Sequence, residues 1–93
     1  MKSVLQSEKE CFVCGTTQGL HEHHCLYGTS NRKNAEKYGL KVWLCGYHHN
    51  LSNEGVHFHK GLDLHLKKMA QRYFEKEQGT REDFRRLFGR SYL

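Results

Sequence analysis

Two pairs of soft ligand residues, Cys11-Phe12-Val13-Cys14 and Cys45-Gly46-Tyr47-His48, stand far apart in the chain at the same spacing. A Cys-x2-Cys turn followed by Gly15 lets the backbone double back so that both sulfurs face one point. Cys45-x2-His48 offers the second half of a tetrahedron, so one Zn2+ held by Cys11, Cys14, Cys45 and His48 would staple residues 11–48 together. His49 would close such a site as well, at an x3 spacing. Such a staple matters in 93 residues, where a single small core buries only a modest share of the surface. The opening Met1-Lys2-Ser3-Val4-Leu5-Gln6 has no apolar run of the kind a secretory signal needs, so the cysteines read as reduced ligands, not disulfides. Cys25 is then the odd thiol, expected as a small buried hydrophobe.

The rest of the chain punctuates itself with Gly, Ser and Asn, since proline is absent. Leu20–Tyr27 reads as a short strand. Thr29-Ser30 caps a helix over Asn31–Tyr38 that Gly39 stops. Lys41–Cys45 reads as a second strand, Gly46–Asn50 as a helical turn and Leu51–Gly55 as a loop. Apolar residues at 62, 66, 69, 70 and 73 predict an amphipathic helix over Leu62–Gln78, with Lys67, Lys68, Arg72 and Lys76 on its other face. Thr80-Arg81-Glu82-Asp83 looks like a capping box for a last helix through Phe88, closed by Gly89. The expected class is α+β: a zinc-stapled core at about 11–59, with two helices over about 60–93, in a single domain. No apolar run of 18 residues is present, so no membrane helix is expected.

Eight histidines exceed what one staple needs. His23 and His24 are adjacent on the first strand, and adjacent strand residues point to opposite faces. One imidazole can therefore hold a cation while its neighbour accepts a proton, a division of labour that suits phosphodiester hydrolysis. His21 reads as a surface residue, His65 as a solvated or packing residue of the long helix, and His59 as a phosphate contact or no contact. Formal net charge is +5, and residues 60–93 carry nine Lys/Arg against five acids. That balance suits a polyanion partner.

Cys-x2-Cys, then His-His, then Leu-Cys-x2-His-His resembles the HNH endonucleases of the His-Me finger (ββα-metal) superfamily, and most of all their small zinc-stapled phage and prophage members, over residues 11–59. The resemblance implies His24 as general base and His23, His49 and His57 as ligands of a catalytic Mg2+ or Mn2+, with His59 behind His57. It implies DNA before RNA as substrate, and a cytoplasmic setting in a bacterial or phage-infected cell. Arg32, Lys33, Lys67, Lys68 and Arg72 would contact phosphates. The family's middle Asn, which orients the base, has no counterpart before the second ligand pair; Asn31, Asn34 and Asn50 are the candidates. The alternative reading is a non-catalytic zinc module that binds nucleic acid, and a third is a degenerate nuclease fold kept as a partner-binding subunit. A homodimer contact through the second half is compatible with each.

Overall fold

Two five-residue strands, β1 (Leu20–His24) and β2 (Lys41–Cys45), pair antiparallel and are joined by helix α1 (Thr29–Tyr38). The computed structural model describes residues 1–50 and 55–93. Most of the expected Leu51–Gly55 loop lies outside the described residues. Helices α2 (Gly46–His49), α3 (Lys60–Glu77) and α4 (Arg81–Phe88) follow. The class is α+β, with one two-stranded sheet and four helices among the described residues. None of these helices is long and apolar enough to cross a membrane.

The register pairs His21 with Leu44, His23 with Val42 and His24 with Lys41. Directly opposed residues share a face, so His21 and His23 lie with Val42 and Leu44, while Glu22 and His24 lie with Lys41 and Trp43. Val42 and Leu44 are buried with Leu26, Ala35, Leu40, Val56, Leu66, Ala70, Phe74, Phe84 and Phe88 in one core. The N-terminal segment runs along β2: Phe12 N donates to Trp43 O and Trp43 N to Gln6 Oε1. It also closes on Gly39, whose carbonyl accepts from Val4 N at 2.9 Å. A Cβ at Gly39 would stand 2.6 Å from the Lys2 carbonyl, and its φ of +70° is left-handed, so only glycine serves there.

Three boundaries differ from expectation by two residues or more. β1 stops at His24 because Cys25 and Leu26 turn into the core, both fully buried. Gly28, at φ 94°, is the N-cap of α1 and makes no side-chain cap, so Thr29 and Ser30 fall in the first turn instead of capping it. α3 starts at Lys60 because His59 caps it, its Nδ1 accepting from Leu62 N at 3.0 Å. The capping box of α4 has both its bonds, Asp83 N to Thr80 Oγ1 at 3.1 Å and Thr80 N to Asp83 Oδ2 at 2.9 Å.

Candidate metal centres

The knuckle before β1 and the turn after β2 meet at the end of the sheet. Cys11, Cys14, Cys45 and His48 each offer one donor atom, all within 4.8 Å of one another. Cys14 Sγ lies 3.8 Å from Cys45 Sγ, and His48 Nδ1 lies 3.3 Å from Cys45 Sγ and 3.7 Å from Cys11 Sγ. With zinc–sulfur bonds of about 2.3 Å, the edge of a tetrahedron is about 3.8 Å, so these separations fit a structural zinc. They also exclude a Cys14–Cys45 disulfide as drawn, and all four cysteines are free. Burial raises the Cys11 thiol, but backbone hydrogen bonds from Cys45, Cys14 and Val13 outweigh it and bring it down to about 6, toward the thiolate a metal binds. Cys25 stays apart, its thiol pushed up to about 12 by burial, and is inert.

A second group forms on the inner face of β1. His23, His49 and His57 also bring their donors within 4.8 Å. They come from three elements: β1, the end of α2 and the turn ahead of α3. After α2 the chain folds back on itself, with Val56 N donating to His48 O at 2.8 Å and His57 N to His49 O at 3.3 Å. Gly55 permits this close approach, since a Cβ there would sit 2.7 Å from the His49 carbonyl oxygen. His49 Nε2 and His57 Nε2 are 3.2 Å apart, near the edge of about 3.3 Å that nitrogen ligands at 2.0–2.1 Å subtend around one ion.

His23 provides the test of fit. It is 3% exposed, and its Nε2 is buried with no hydrogen-bond partner among the described residues. A buried polar atom without a partner is rare and costly; here a cation beside the other two imidazoles would satisfy it. Burial, and then the neighbouring imidazoles of His49 and His57, push His23 down to about 3. Burial, with His57 and His21, pushes His49 down to about 4. Both rings are thus held neutral, the form that ligates.

His21 corrects an expectation. It is half-buried, not a bare surface residue, and its Nδ1 lies 2.9 Å from His49 Nδ1. His49 therefore spends one nitrogen on His21 and turns the other toward His57 and His23, the arrangement that fixes a ligating imidazole's tautomer. The two-residue alternation from His23 marks His21 as sharing its face, though only the placement of His49 gives that a consequence.

His24 points to the opposite face. Its Nε2 is 2.8 Å from Glu36 Oε1. Glu22, His24 and Glu36 make a third cluster of possible ligands, but it already contains cations. Lys41 Nζ lies 2.9 Å from both oxygens of Glu36 and 3.2 Å from Glu22, and the Met1 ammonium lies 2.7 Å from Glu36. It is an ion-pair network around a lysine that is only 5% exposed.

Beside His57 an open cleft of about 480 Å³ is lined by Tyr27, Gly28, Thr29, Arg32 and Lys33. Arg32 and Lys33 are exposed there. Lys67 reaches toward the same region, its Nζ 4.7 Å from the Tyr27 ring and 2.7 Å from Asp63. Lys68 and Arg72 lie farther along α3 and do not line the cleft. His65 is exposed, and His59 serves as a helix cap. A larger hollow, about 560 Å³, lies between the N-terminal segment and β2, away from the three imidazoles. No family model, curated protein or solved structure matches the chain.

Proposed function

We propose that this chain is a metal-dependent endonuclease with a zinc-stapled ββα-metal (His-Me finger, HNH-type) core, hydrolysing phosphodiester bonds in DNA. The observation that carries the reading is the convergence of His23, His49 and His57, from three separate elements, around a buried imidazole nitrogen that has no other partner among the described residues. His23, His49 and His57 would hold the divalent cation. Once bound, it supplies charge neutralisation for the scissile phosphate and the leaving oxygen. The ligand set is all imidazole, which suits Mn2+ or a later first-row ion better than the Mg2+ also expected.

The remaining work falls to the protein's own groups. His24 accepts the proton of the attacking water, a role for which imidazole is matched near neutral pH. Arg32 and Lys33, in the cleft beside His57, hold flanking phosphates. Such contacts position a nucleic acid without selecting its sequence. The alternative, a non-catalytic zinc module binding nucleic acid, explains Cys11, Cys14, Cys45, His48 and the basic cleft. It leaves the buried His23 Nε2, without a partner among the described residues, without a purpose.

The test is plasmid nicking by the zinc-loaded protein with added Mn2+ or Mg2+, beside His24→Ala and His49→Ala. Supercoiled DNA should open to nicked circles only with the added ion, and each substitution should lower the rate by roughly 10²–10⁴-fold, the usual worth of a positioned base. Hydrolysis that survives His24→Ala at the full rate would refute the assignment of the base. Failure to cleave any nucleic acid with any divalent ion would leave the binding module.

A further inference from the structure

We propose that Glu36 is the positioning residue of His24: it holds the Nε2–H of the ring and thereby leaves Nδ1 as the nitrogen that receives the proton from water. The inference rests on the nuclease reading and assigns a role to a residue that sequence comparison with the HNH pattern does not mark.

An ionised carboxylate can only accept a hydrogen bond. At 2.8 Å from Glu36 Oε1, His24 Nε2 must therefore carry the hydrogen, and the neutral ring must keep its lone pair on Nδ1. Glu36 is itself fixed. Lys41 Nζ bonds both of its oxygens at 2.9 Å, and Lys41 is buried and braced by Glu22 at 3.2 Å. Lys41 stands directly opposite His24 in the sheet register. The ring, its acceptor and the acceptor's anchor are thus set by one strand pairing and one helix. The arrangement is that of a base oriented by a carboxylate that stays ionised.

The helix connects this dyad to the cleft. Thr29, Arg32, Lys33 and Glu36 recur at i, i+3, i+4 and i+7 along α1, which puts them on one face. The first three line the open cleft beside His57, and Glu36 continues the row toward His24. His24 keeps 15% of its side chain exposed. The asparagine that orients the base in HNH nucleases has no such position here. The amide of Asn34 donates to the Leu87 carbonyl at 2.9 Å, tying α1 to α4. Glu36 occupies the vacancy in function, from a different point in the chain.

Two measurements separate this idea from a merely structural ion pair. The first is the tautomer of His24, read from nitrogen–proton correlations of the imidazoles in the zinc-loaded protein without nucleic acid. The wild-type ring should show the Nε2–H form, and Glu36→Ala should convert it to a mixture. An Nδ1–H tautomer in the wild type overturns the inference, whatever the activity. The second is steady-state nicking by Glu36→Gln, Glu36→Ala and Glu36→Asp. kcat should fall by about tenfold or more in the alanine variant, approaching but not exceeding the loss from His24→Ala. KM and the affinity for the added ion should be unchanged, and Asp should restore part of the rate. Full kcat in Glu36→Ala, with His24→Ala inactive, overturns the role of Glu36 while the nuclease stands. Equal losses in KM, ion affinity and thermal stability would make Glu36 a structural residue and overturn it too. A wild-type protein that cleaves nothing fails the nuclease reading itself and removes this role with it.

Discussion

His23→Leu should stabilise the protein while disabling the proposed cation site. The histidine is 3% exposed and its Nε2 lacks a partner among the described residues. An unsatisfied buried polar group costs roughly 1–3 kcal/mol, and leucine fills a similar space with apolar atoms among Val42, Leu44 and the core. With one equivalent of zinc and no other divalent ion, thermal unfolding should shift upward by roughly 4–24 °C, taking about 4–8 °C per kcal/mol for a domain of this size. The difference should grow in mild acid. The folded ring titrates at about 3 against an ordinary value of 6.5, so between those limits the unfolded chain binds a proton that the folded one refuses. Wild-type stability then falls with falling pH by about 1.4 kcal/mol per unit, from near pH 6.5 downward, and the leucine variant lacks that slope. Excess Mn2+ should reverse the order. An ion at a thousandfold over its dissociation constant adds about 4.1 kcal/mol to the wild type alone, which at pH 7.5 exceeds the roughly 1–3 kcal/mol gained by leucine. Calorimetry or circular dichroism melts at pH 7.5 and 5.5, with and without Mn2+, give all of these comparisons. A leucine variant less stable than wild type at both pH values without Mn2+ would mean that His23 Nε2 is satisfied within the protein, and the reasoning would be wrong.

Other substitutions report on separate parts of the account. Cys45→Ser should release zinc and unfold the chain, as should a strong chelator, because binding free energy at such a site is folding free energy; far-ultraviolet dichroism checks it. His21→Ala should weaken the second cation by about 10–100-fold through the freed His49 ring, with zinc content unchanged, by titration calorimetry. Arg32→Ala and Lys33→Ala should each weaken DNA binding uniformly across sequences and reduce its logarithmic salt slope by about one, measured by fluorescence anisotropy. Thr80→Ala removes the capping box of α4 and should cost about 1 kcal/mol in urea unfolding without altering metal binding.

Much of the framework was legible because its signals are local. Cysteine spacing, the Lys41–Cys45 β-run, the apolar period of α3 and the capping box of α4 each depend on residues a few positions apart. Cys11, Cys14 and Cys45 could be grouped from their spacing with His48 or His49 as the fourth ligand, and the structure brings His48 to them. The parts that escaped are set by packing between distant segments. His21 meets His49 only because α2 brings His49 across the strand, and Glu36 meets His24 only because α1 lies over the end of β1. Gly28 displaced Thr29 and Ser30 from the cap because a left-handed backbone at φ 94° ends the turn before them, and a list of helix-capping residue types does not reveal that angle. His59, expected as a phosphate contact or no contact, caps α3, since a ring nitrogen can accept from a helix N–H as an Asp or Ser oxygen does.

Titration of metal-free, reduced protein with Co2+ tests the central division most directly, because thiolate and imidazole ligands give different spectra. The account predicts two equivalents: the first with strong sulfur-to-metal charge-transfer absorption, the second without it and abolished in His49→Ala. One equivalent only, or a second that also carries thiolate absorption, would contradict it.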